Sequence, residues 1–317
     1  MTPPSPTVRL GALDPATATE VRDLAAAAAS TDGVAPLSEQ PLLGLTAEAP
    51  TAHLIARGPA GTLLGYAQLD LGAPGAASAE LVVAPGARRR GVGGRLLASA
   101  RALAEADQFA EAAGRRFSVW AHGDPPAARA LAAGAGLAVV RELWLMGLDL
   151  AEFSARFSEQ VSAQLPAPLP HGAVVREFVP GQDEEAWRRV NARAFAHHPE
   201  QGRITRADLD ARIAEPWFDP AGFLLAERDG VLLGSVWTKV HPAGSAAGHV
   251  GEIYVVGVDP DAQGLGLGGA LTDRALVHLA GRGLRRAILY TDADNELAIR
   301  AYTRAGFART GVDVQFG

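Results

Sequence analysis

The chain has 317 residues, no cysteine and a formal net charge of −6 at pH 7. This length suits two domains of ordinary size. The lack of cysteine excludes disulfides and cysteine-ligated zinc, and the modest negative charge argues against a nucleic-acid partner. The first residues lack the apolar core of a signal peptide, and no apolar run reaches the roughly 18 residues of a membrane span. We therefore predict a soluble, cytoplasmic protein without a membrane partner.

The first half begins with a proline-rich segment, residues 1–7, that we expect to be loose. An alanine-rich helix is predicted at 16–29, and Ser38-Glu39 can cap or open a short helix within 37–45. Alternating apolar residues then predict paired strands at 51–56 and 63–69. The later predicted elements are a strand from Glu80, a helix with Leu96, Leu97, Ala100 and Leu103 at helical spacing, a strand at 117–121, a helix at 125–133 and a strand at 143–150.

Residues 156–172 form a proline-containing connector that we place between domains at 1–155 and 173–317. After the connector the same pattern restarts, and strands next to helices in both halves predict an α/β (α+β) fold class, with a mixed central sheet flanked by helices in each domain. The predicted elements are a strand at 173–178, a helix at 184–195 capped by Asp183, a hairpin of 223–227 with 231–240, a strand at 253–258, a helix from Ala270, a strand at 287–291, a helix at 296–305 and a strand at 312–316.

The strongest signal is a glycine-rich turn that occurs twice. Residues 258–268 read VDPDAQGLGLG and residues 83–93 read VAPGARRRGVG, so a gap-free alignment gives (Q/R)-x-x-G-x-G in both. Each copy follows a valine-rich strand and precedes a helix, which is an internal repeat. Glycines let the main chain approach a ligand, and the free amides of a first helical turn favour an anion. We therefore predict that each turn binds the pyrophosphate of an acyl carrier.

Both halves resemble the GCN5-related N-acetyltransferase (GNAT) family, whose acetyl-CoA loop is (Q/R)-x-x-G-x-(G/A). The second half adds NELAIRAYTRAGF at 295–307, similar to the family's N-x-x-A-x-x-x-Y-x-x-x-G-F ending. The resemblance covers nearly the whole chain and implies two tandem GNAT-fold domains, acetyl-CoA as co-substrate and no metal. One departure is Gly264-Leu265, where such loops often carry basic residues, so this loop is expected to use backbone donors.

Longer strings make the resemblance more specific. YVVGVDPDAQGLGLG, LYTDADN, AFAHHPEQG and VWAHGDPPAARALA are similar to family members that acetylate the cysteinyl amine of a cysteinyl-glucosaminyl-inositol conjugate. For the substrate, the resemblance implies contacts with Glu39, Glu200, Lys239, Glu252 and Tyr290. Each of these side chains also fits a plain surface or strand-edge position. We expect the chain to act as a monomer.

The resemblance implies acetyl-CoA contacts from the end of a strand and from the glycine turn in each half, and from the start of the last helix in the second half. In the second half these residues are Val256, Gly257, Val258, Gln263, Gly264, Leu265, Gly266, Leu267, Gly268, Gly269, Asn295, Glu296, Leu297, Ala298, Ile299 and Arg300. In the first half they are Leu81, Val82, Val83, Arg89, Arg90, Gly91, Val92, Gly93 and Gly94. At least one arginine of 88–90 is expected to pair with phosphate.

Acetyl transfer to an amine requires a neutral amine, a polarised thioester and a proton for the leaving thiolate. Glu252 opens the central strand, where the family places its general base. Tyr302 is the expected general acid, because a phenol with a pKa of about 10 matches a thiolate of similar basicity. The alternatives are an ordinary strand-edge glutamate and a half-buried helix tyrosine.

The first half lacks both proton-transfer groups. The alignment places Ala77 opposite Glu252, and either Ala132 or Leu131 opposite Tyr302. We therefore predict that the second half catalyses, whereas the first half binds acetyl-CoA without turnover or is structural. Glu80 is a possible substitute base in the first half.

Three other functions fit parts of the sequence. Gly264, Gly266 and Gly269 spell the G-x-G-x-x-G of dinucleotide-binding enzymes, and Asp292 follows at a suitable distance, but the turn comes late in its domain and Leu96 breaks the spacing in the first copy. A non-catalytic CoA-binding protein fits the first half alone. A tandem acetyltransferase for another amine fits the chemistry equally well.

Overall fold

A computed structural model of the chain describes residues 5–47, 50–106, 116–160, 169, 172–196, 201–243 and 247–317. It divides into two compact units, one of Met1–Leu143 with Gly311–Gly317 and one of Trp144–Thr310. Separate functional domains at 1–155 and 173–317, with a connector at 156–172, stay a prediction. No helix among the described residues has the length and apolarity to cross a membrane.

The first unit is a sheet with helices on both faces. Its strand order is β1-β2-β3-β4-β5, followed by the end of β12, and only β4 with β5 is a parallel pair among the registers described. The strands are β1 (Thr7–Leu10), β2 (Thr51–Arg57), β3 (Leu63–Asp70), β4 (Ala76–Val83), β5 (Arg116–Ala121) and β12 (Ala308–Phe316). The helices are α1 (Pro15–Asp32), α2 (Glu39–Leu43), α3 (Val92–Glu105) and α4 (Pro126–Gly134).

Side chains of β3 point alternately into the two apolar cores of this unit. Ala67 and Leu69 join the cluster that packs against α3, whereas Tyr66 joins the cluster under α1 and α2. Successive side chains of a strand point to opposite faces, so a strand that is covered on both sides reads as nearly all apolar.

The second unit repeats this arrangement. Its strand order is β6-β11-β10-β9-β8-β7, with β10 and β11 parallel. The strands are β6 (Val139–Asp149), β7 (Val174–Glu177), β8 (Phe223–Arg228), β9 (Val231–Val240), β10 (Gly251–Val258) and β11 (Arg286–Asp292). The helices are α5 (Leu150–Gln160), α6 (Glu184–Ala194), α7 (Arg206–Ile213), α8 (Leu267–Gly281) and α9 (Glu296–Ala305).

Two cores cover the faces of this second sheet. The α8-side core contains Ile253, Leu271, Leu276, Leu289 and Phe307 among its buried residues. The α6-side core contains buried aromatic rings together with Val255, and its rings are Phe178, Trp187, Phe223 and Trp237. Apolar side chains therefore fill the interior on each face of this sheet.

Most predicted elements are confirmed, and the exceptions have local causes. The strand β1 was not predicted, because it begins at Thr7, directly after a proline-rich segment that is typical of a loose terminus. The helix α7 was also missed, although Thr205 and Asp208 form a reciprocal capping box at its start. The helix α8 begins at Leu267, not at Ala270, because Gly266 takes a left-handed conformation with φ 76° and starts the helix at once.

The proposed cap of α6 was wrong in its chemistry. Asp183 precedes the helix, but its carboxylate makes no capping bond there. It accepts hydrogen bonds from both terminal nitrogens of Arg176 and from the Val179 amide instead. A partly buried charge pair is the stronger partner for this carboxylate.

Close packing of α8 on the first residue of β10 requires a glycine. A Cβ built on Gly251 would lie 2.6 Å from Leu279 Cδ2, and Leu279 is fully buried in the α8-side core. Glu252, the candidate base, is the next residue, so this contact sets the distance between α8 and β10 beside it.

We expect Gly251→Ala to lower the free energy of unfolding by about 1–3 kcal/mol, the usual cost of overpacking a filled core. Urea denaturation measures it. The matched control is Gly281→Ala at the end of α8, where nothing lies within 4 Å of the added Cβ; it should be neutral or stabilising. Equal unfolding free energies for the two variants would contradict this account.

Candidate active site

The second sheet opens between β10 and β11. Within the described residues their parallel pairs run from Gly251↔Ala287 to Ile253↔Leu289. On its other edge, β10 stays paired with β9 as far as Val258↔Gly234. Residues 254–258 therefore run past the last parallel pair, and their outward main-chain groups are oriented to bind an extended ligand.

A β-bulge lies where this opening begins. The register of β10 against β9 shifts between Ile253 and Val255, which leaves Tyr254 as the extra residue. As a result Ile253 packs in the α8-side core and Val255 in the α6-side core, although they are two residues apart. The bulge therefore changes which face of the sheet the side chains after Tyr254 point to.

The glycine turn follows β10 directly and leads into α8. Gly264 and Gly266 both have left-handed backbones, with φ 79° and 76°. The Gln263 side chain donates a hydrogen bond to the Val258 carbonyl at 3.3 Å, which ties the turn back to the strand. Nothing lies within 4 Å of a Cβ built on Gly264 or Gly269, so there is room for a phosphate beside the first-turn amides.

Glu252 is a buried carboxylate, with 8 % of its surface exposed, on the α6-side face of the sheet. Its neighbour in register on β9 is Lys239, and on β11 it is Ile288. Glu252 Oε2 lies 2.6 Å from His241 Nε2. The carboxylate is therefore held one residue before the last parallel pair of β10 and β11, where the sheet opens.

Tyr302 lies on the other face of the sheet, on α9. Its side chain packs against the α8-side core, which contains the last parallel pair, Ile253 and Leu289. Burial raises the pKa of Tyr302 to about 12. The phenol therefore keeps its proton throughout the neutral range, as a proton donor must, and Glu252 and Tyr302 flank the opening from opposite faces.

The start of α9 completes this side of the opening. The Asn295 side chain caps the helix by accepting from the Ala298 amide at 3.1 Å. Leu297 is exposed, and Arg300 forms an exposed ion pair with Glu296 at 3.1 Å. The predicted acetyl-CoA residues 295–300 therefore form a capped and exposed helical turn.

The predicted substrate residues divide between the two units. Lys239 and Tyr290 lie on strands that flank Glu252, and the Lys239 ammonium sits 4.5 Å from the centroid of the Trp217 ring. Glu39 is the first residue of α2, in the first unit. Glu200 lies outside the described residues. In the part of the chain that the structure describes, no group of three or more His, Cys, Asp or Glu side chains could hold a metal.

The first unit repeats the opening and the turn. Parallel pairs of β4 and β5 run from Ala76↔Arg116 to Ala79↔Val119 within the described residues, so the predicted contacts Leu81, Val82 and Val83 lie beyond them. Arg88 donates to the Val83 carbonyl at 3.2 Å, as Gln263 does to Val258. The first residue of each motif therefore has a structural role.

Backbone conformation shows how closely the two turns agree. Arg89 has φ 60° where the other copy has Gly264, and Gly91 has φ 80° where it has Gly266. A left-handed arginine costs about 1 kcal/mol, so a compensating constraint retains the shape of the turn. Arg88 forms a bidentate ion pair with Asp32, which leaves Arg89 and Arg90 as the arginines for a phosphate.

The first unit lacks proton-transfer groups at the matching places. Ala77 and Ala132 are buried in the core under α3 and α4, and Leu131 packs against the same core. A groove of about 440 Å³ runs between α3 and α4, and it is lined by Gly94, Leu97, Ala98, Arg101, Ala130, Leu131, Gly134 and Ala135. This groove adjoins the glycine turn and is mostly apolar.

Comparison with known proteins identifies the family. The model of the acetyltransferase (GNAT) family matches residues 186–307. A mycothiol acetyltransferase of Cellulomonas flavigena is 60 % identical, with 99 % of this chain and 89 % of that protein covered. A mycothiol acetyltransferase of Streptomyces coelicolor is 48 % identical, with 97 % and 93 % covered. The chain belongs to the mycothiol acetyltransferase family.

Solved structures agree with this family's tandem architecture. A GCN5-related N-acetyltransferase from Sphaerobacter thermophilus is 26 % identical, with a TM-score of 0.67 and 100 % of this chain and 96 % of that chain covered. A tandem GNAT protein from the clavulanic acid biosynthesis pathway has the same TM-score at 21 % identity, with 98 % of each chain covered. The predicted fold class is confirmed, and the dinucleotide-dependent alternative is wrong.

The structure also identifies side chains around Glu252 and Lys239 that no sequence motif predicted. His241 is bonded to Glu252, Trp217 lies under Lys239, and Tyr254 accepts a hydrogen bond from Arg212 at 2.7 Å. His241 follows Lys239 by two residues, so strand alternation alone could have placed both on one face. The other contacts join distant parts of the chain and leave no local signal.

The Glu80 carboxylate, the alternative base in the first unit, is engaged by three neighbouring groups. It accepts hydrogen bonds from the Ser38 amide and hydroxyl at 2.6 and 2.7 Å, and lies 3.1 Å from His122. His122 also bonds Asp313 at 2.9 Å. Burial by itself lowers the pKa of His122, but the charges of Glu80 and Asp313 outweigh it and raise the pKa to about 10. Glu80, His122 and Asp313 thus form an ion-pair cluster in the first unit, three residues beyond the position that aligns with the base.

This cluster predicts a pH dependence of stability. His122 binds a proton more tightly in the folded state, so its contribution is complete below the unfolded pKa of about 6.5. Between that pH and about 10 the contribution is lost, by at most about 1.4 kcal/mol per pH unit. Urea denaturation from pH 6 to 10 should show a decline in wild type that is weaker in His122→Gln. Parallel curves would contradict the ion-pair assignment.

Proposed function

We propose that this chain transfers acetyl from acetyl-CoA to the cysteinyl amine of cysteinyl-glucosaminyl-inositol, giving mycothiol, and that the second unit carries out the reaction. The observation that carries the proposal is a buried carboxylate, Glu252, beside the β10–β11 opening, with the Tyr302 phenol on the opposite face. The names of the relatives support this acceptor. We further propose that the chain acts as a cytoplasmic monomer without a metal.

The second unit fits acetyl-CoA along a continuous path. The first-turn amides of α8 and the space beside Gly264 and Gly269 suit the pyrophosphate. The unpaired edge of β10, at Val256–Val258, suits the amides of the pantetheine arm, in the manner of an added strand. This path ends at the bulge, next to Glu252. The co-substrate supplies a thioester whose carbonyl accepts the amine.

Glu252 takes the proton of the incoming ammonium, directly or through a water molecule, and so makes the nitrogen nucleophilic. The opening holds amine and thioester close, which replaces a bimolecular encounter by a bound geometry. Tyr302 gives its proton to the sulfur as the carbon–sulfur bond breaks. Its pKa of about 12 exceeds that of a free tyrosine, so the phenol is protonated before each turnover.

For the acceptor, we propose that Lys239, Tyr290 and Glu252 form one side of the binding cleft, and that Glu39 and Glu200 contribute carboxylates. A pseudodisaccharide offers many hydroxyls and one ammonium, which suit carboxylates, a lysine and a phenol. Lys239 and Tyr290 flank the base from neighbouring strands, which supports their part of this assignment.

Removing either proton-transfer group should abolish most turnover. We expect Glu252→Gln and Tyr302→Phe each to lower kcat by about 10²–10⁴-fold, with acetyl-CoA binding retained. A thiol-release assay over a panel of amines that includes cysteinyl-glucosaminyl-inositol measures both the acceptor and the rate. Near-normal rates in both variants would contradict the roles of Glu252 and Tyr302. A faster reaction with a different amine would contradict the proposed acceptor.

The two glycine turns allow a matched test of the two units. Gly94 and Gly269 occupy equivalent first-turn positions, and nothing lies within 4 Å of a Cβ on either. A glutamate there suits the helix dipole but repels a phosphate. We expect Gly269→Glu to abolish turnover. Gly94→Glu should keep turnover and reduce acetyl-CoA binding from two sites to one by calorimetry. Loss of turnover with Gly94→Glu would assign the first unit a direct part in catalysis.

A further inference from the structure

His241 has a contact that the assigned chemistry does not use. It follows the last residue of β9, and its amide donates to the Val250 carbonyl at 2.9 Å, which extends the β9–β10 ladder by one residue. Its ring nitrogen Nε2 lies 2.6 Å from Glu252 Oε2. The His241 side chain is 19 % exposed and that of Glu252 is 10 % exposed, so the imidazole is the more accessible of the two to solvent.

The proton balance of acetyl transfer gives this contact a purpose. The acceptor nitrogen uses its lone pair to bond the acetyl carbon, and the electron pair of the carbon–sulfur bond goes to sulfur. An ammonium that becomes an amide gives up two protons, and the sulfur takes up one of them. One proton per turnover must therefore leave the site. Glu252 is largely buried, so a neighbouring group that takes up its proton would regenerate the base.

The other titratable groups around Glu252 are poorly suited to that removal. Lys239 faces Glu252 from β9, but a lysine ammonium is a hydrogen-bond donor with no acceptor site. Tyr254 lies on β10, as Glu252 does, and accepts a hydrogen bond from Arg212 of α7. Tyr290 lies on β11. Both are phenols, which hold their protons near neutral pH. An imidazole both accepts and releases a proton in this range.

We propose that His241 is a positioning residue that orients the Glu252 carboxylate and carries the proton from it to solvent. This inference rests on the proposed function, because it requires Glu252 to act as the base. In each turnover the proton on Glu252 passes to His241 Nε2, and the imidazolium then releases one proton to water. The ring ends neutral, and Glu252 is again a carboxylate.

Two substitutions separate the orienting role from the proton-carrying role. His241→Gln retains an N–H that can donate to Glu252 but cannot take up a proton. His241→Ala removes the ring and leaves space for imidazole from the buffer. The matched control is His249→Gln, the same change at an exposed histidine in the connection between β9 and β10. Thermal unfolding and acetyl-CoA binding check that each variant is folded.

We expect His241→Gln to lower kcat at pH 7 by at least about 10-fold, a modest share of general acid–base catalysis, with both KM values within about twofold of wild type. In His241→Ala, added imidazole should raise kcat in a saturable way. His249→Gln should match wild type. A kcat for His241→Gln within twofold of wild type would overturn the proposal, and so would a His241→Ala enzyme that does not respond to imidazole.

The same assay keeps this inference separate from the proposed function. If wild type acetylates no amine in the panel, or if Glu252→Gln retains full activity, the proposed function fails. If wild type is active, Glu252→Gln is inactive and His241→Gln is as fast as wild type, only the role of His241 fails.

Discussion

The functional architecture depends on one constraint, the parting of two parallel strands after a few paired residues. Backbone amides and carbonyls must find partners, and the edge of β10 beyond Ile253 has its neighbour strand on one side only within the described registers. A bulge at Tyr254 starts this divergence, and the glycine turn after Val258 adds first-turn helix amides along the same line. A ligand that is extended at one end and anionic at the other fits such a line.

The two units share this constraint but differ in what surrounds it. In each unit the first motif residue, Arg88 or Gln263, bonds the carbonyl that ends the preceding strand, so the shape of the turn is retained. In the first unit, however, a histidine lies between two carboxylates beside the opening, an alanine aligns with the predicted base, and an alanine or a leucine aligns with the predicted acid. The two units therefore share the shape of the turn but differ in the side chains around it.

Much of the fold was predictable because its signals are local. Glycine turns, strand alternation and the helix at 296–305 depend on neighbours within a few residues, and the structure confirms them. The base and acid positions were predicted from residues at the start of β10 and in α9. The elements that were missed are short: β1 is an exposed edge strand, and α7 has a capping box but few buried residues.

The sequence alone determined that the glycine-rich turn occurs twice and that only the second copy has a glutamate and a tyrosine at the predicted base and acid positions, because both facts can be read from aligned positions. Only the tertiary structure decided which groups meet around Glu252. His241 is close in sequence but its contact depends on the register of β9 and β10, and Trp217 and Arg212 reach the same face from a separate segment. Such contacts depend on packing between distant residues, which no local pattern encodes.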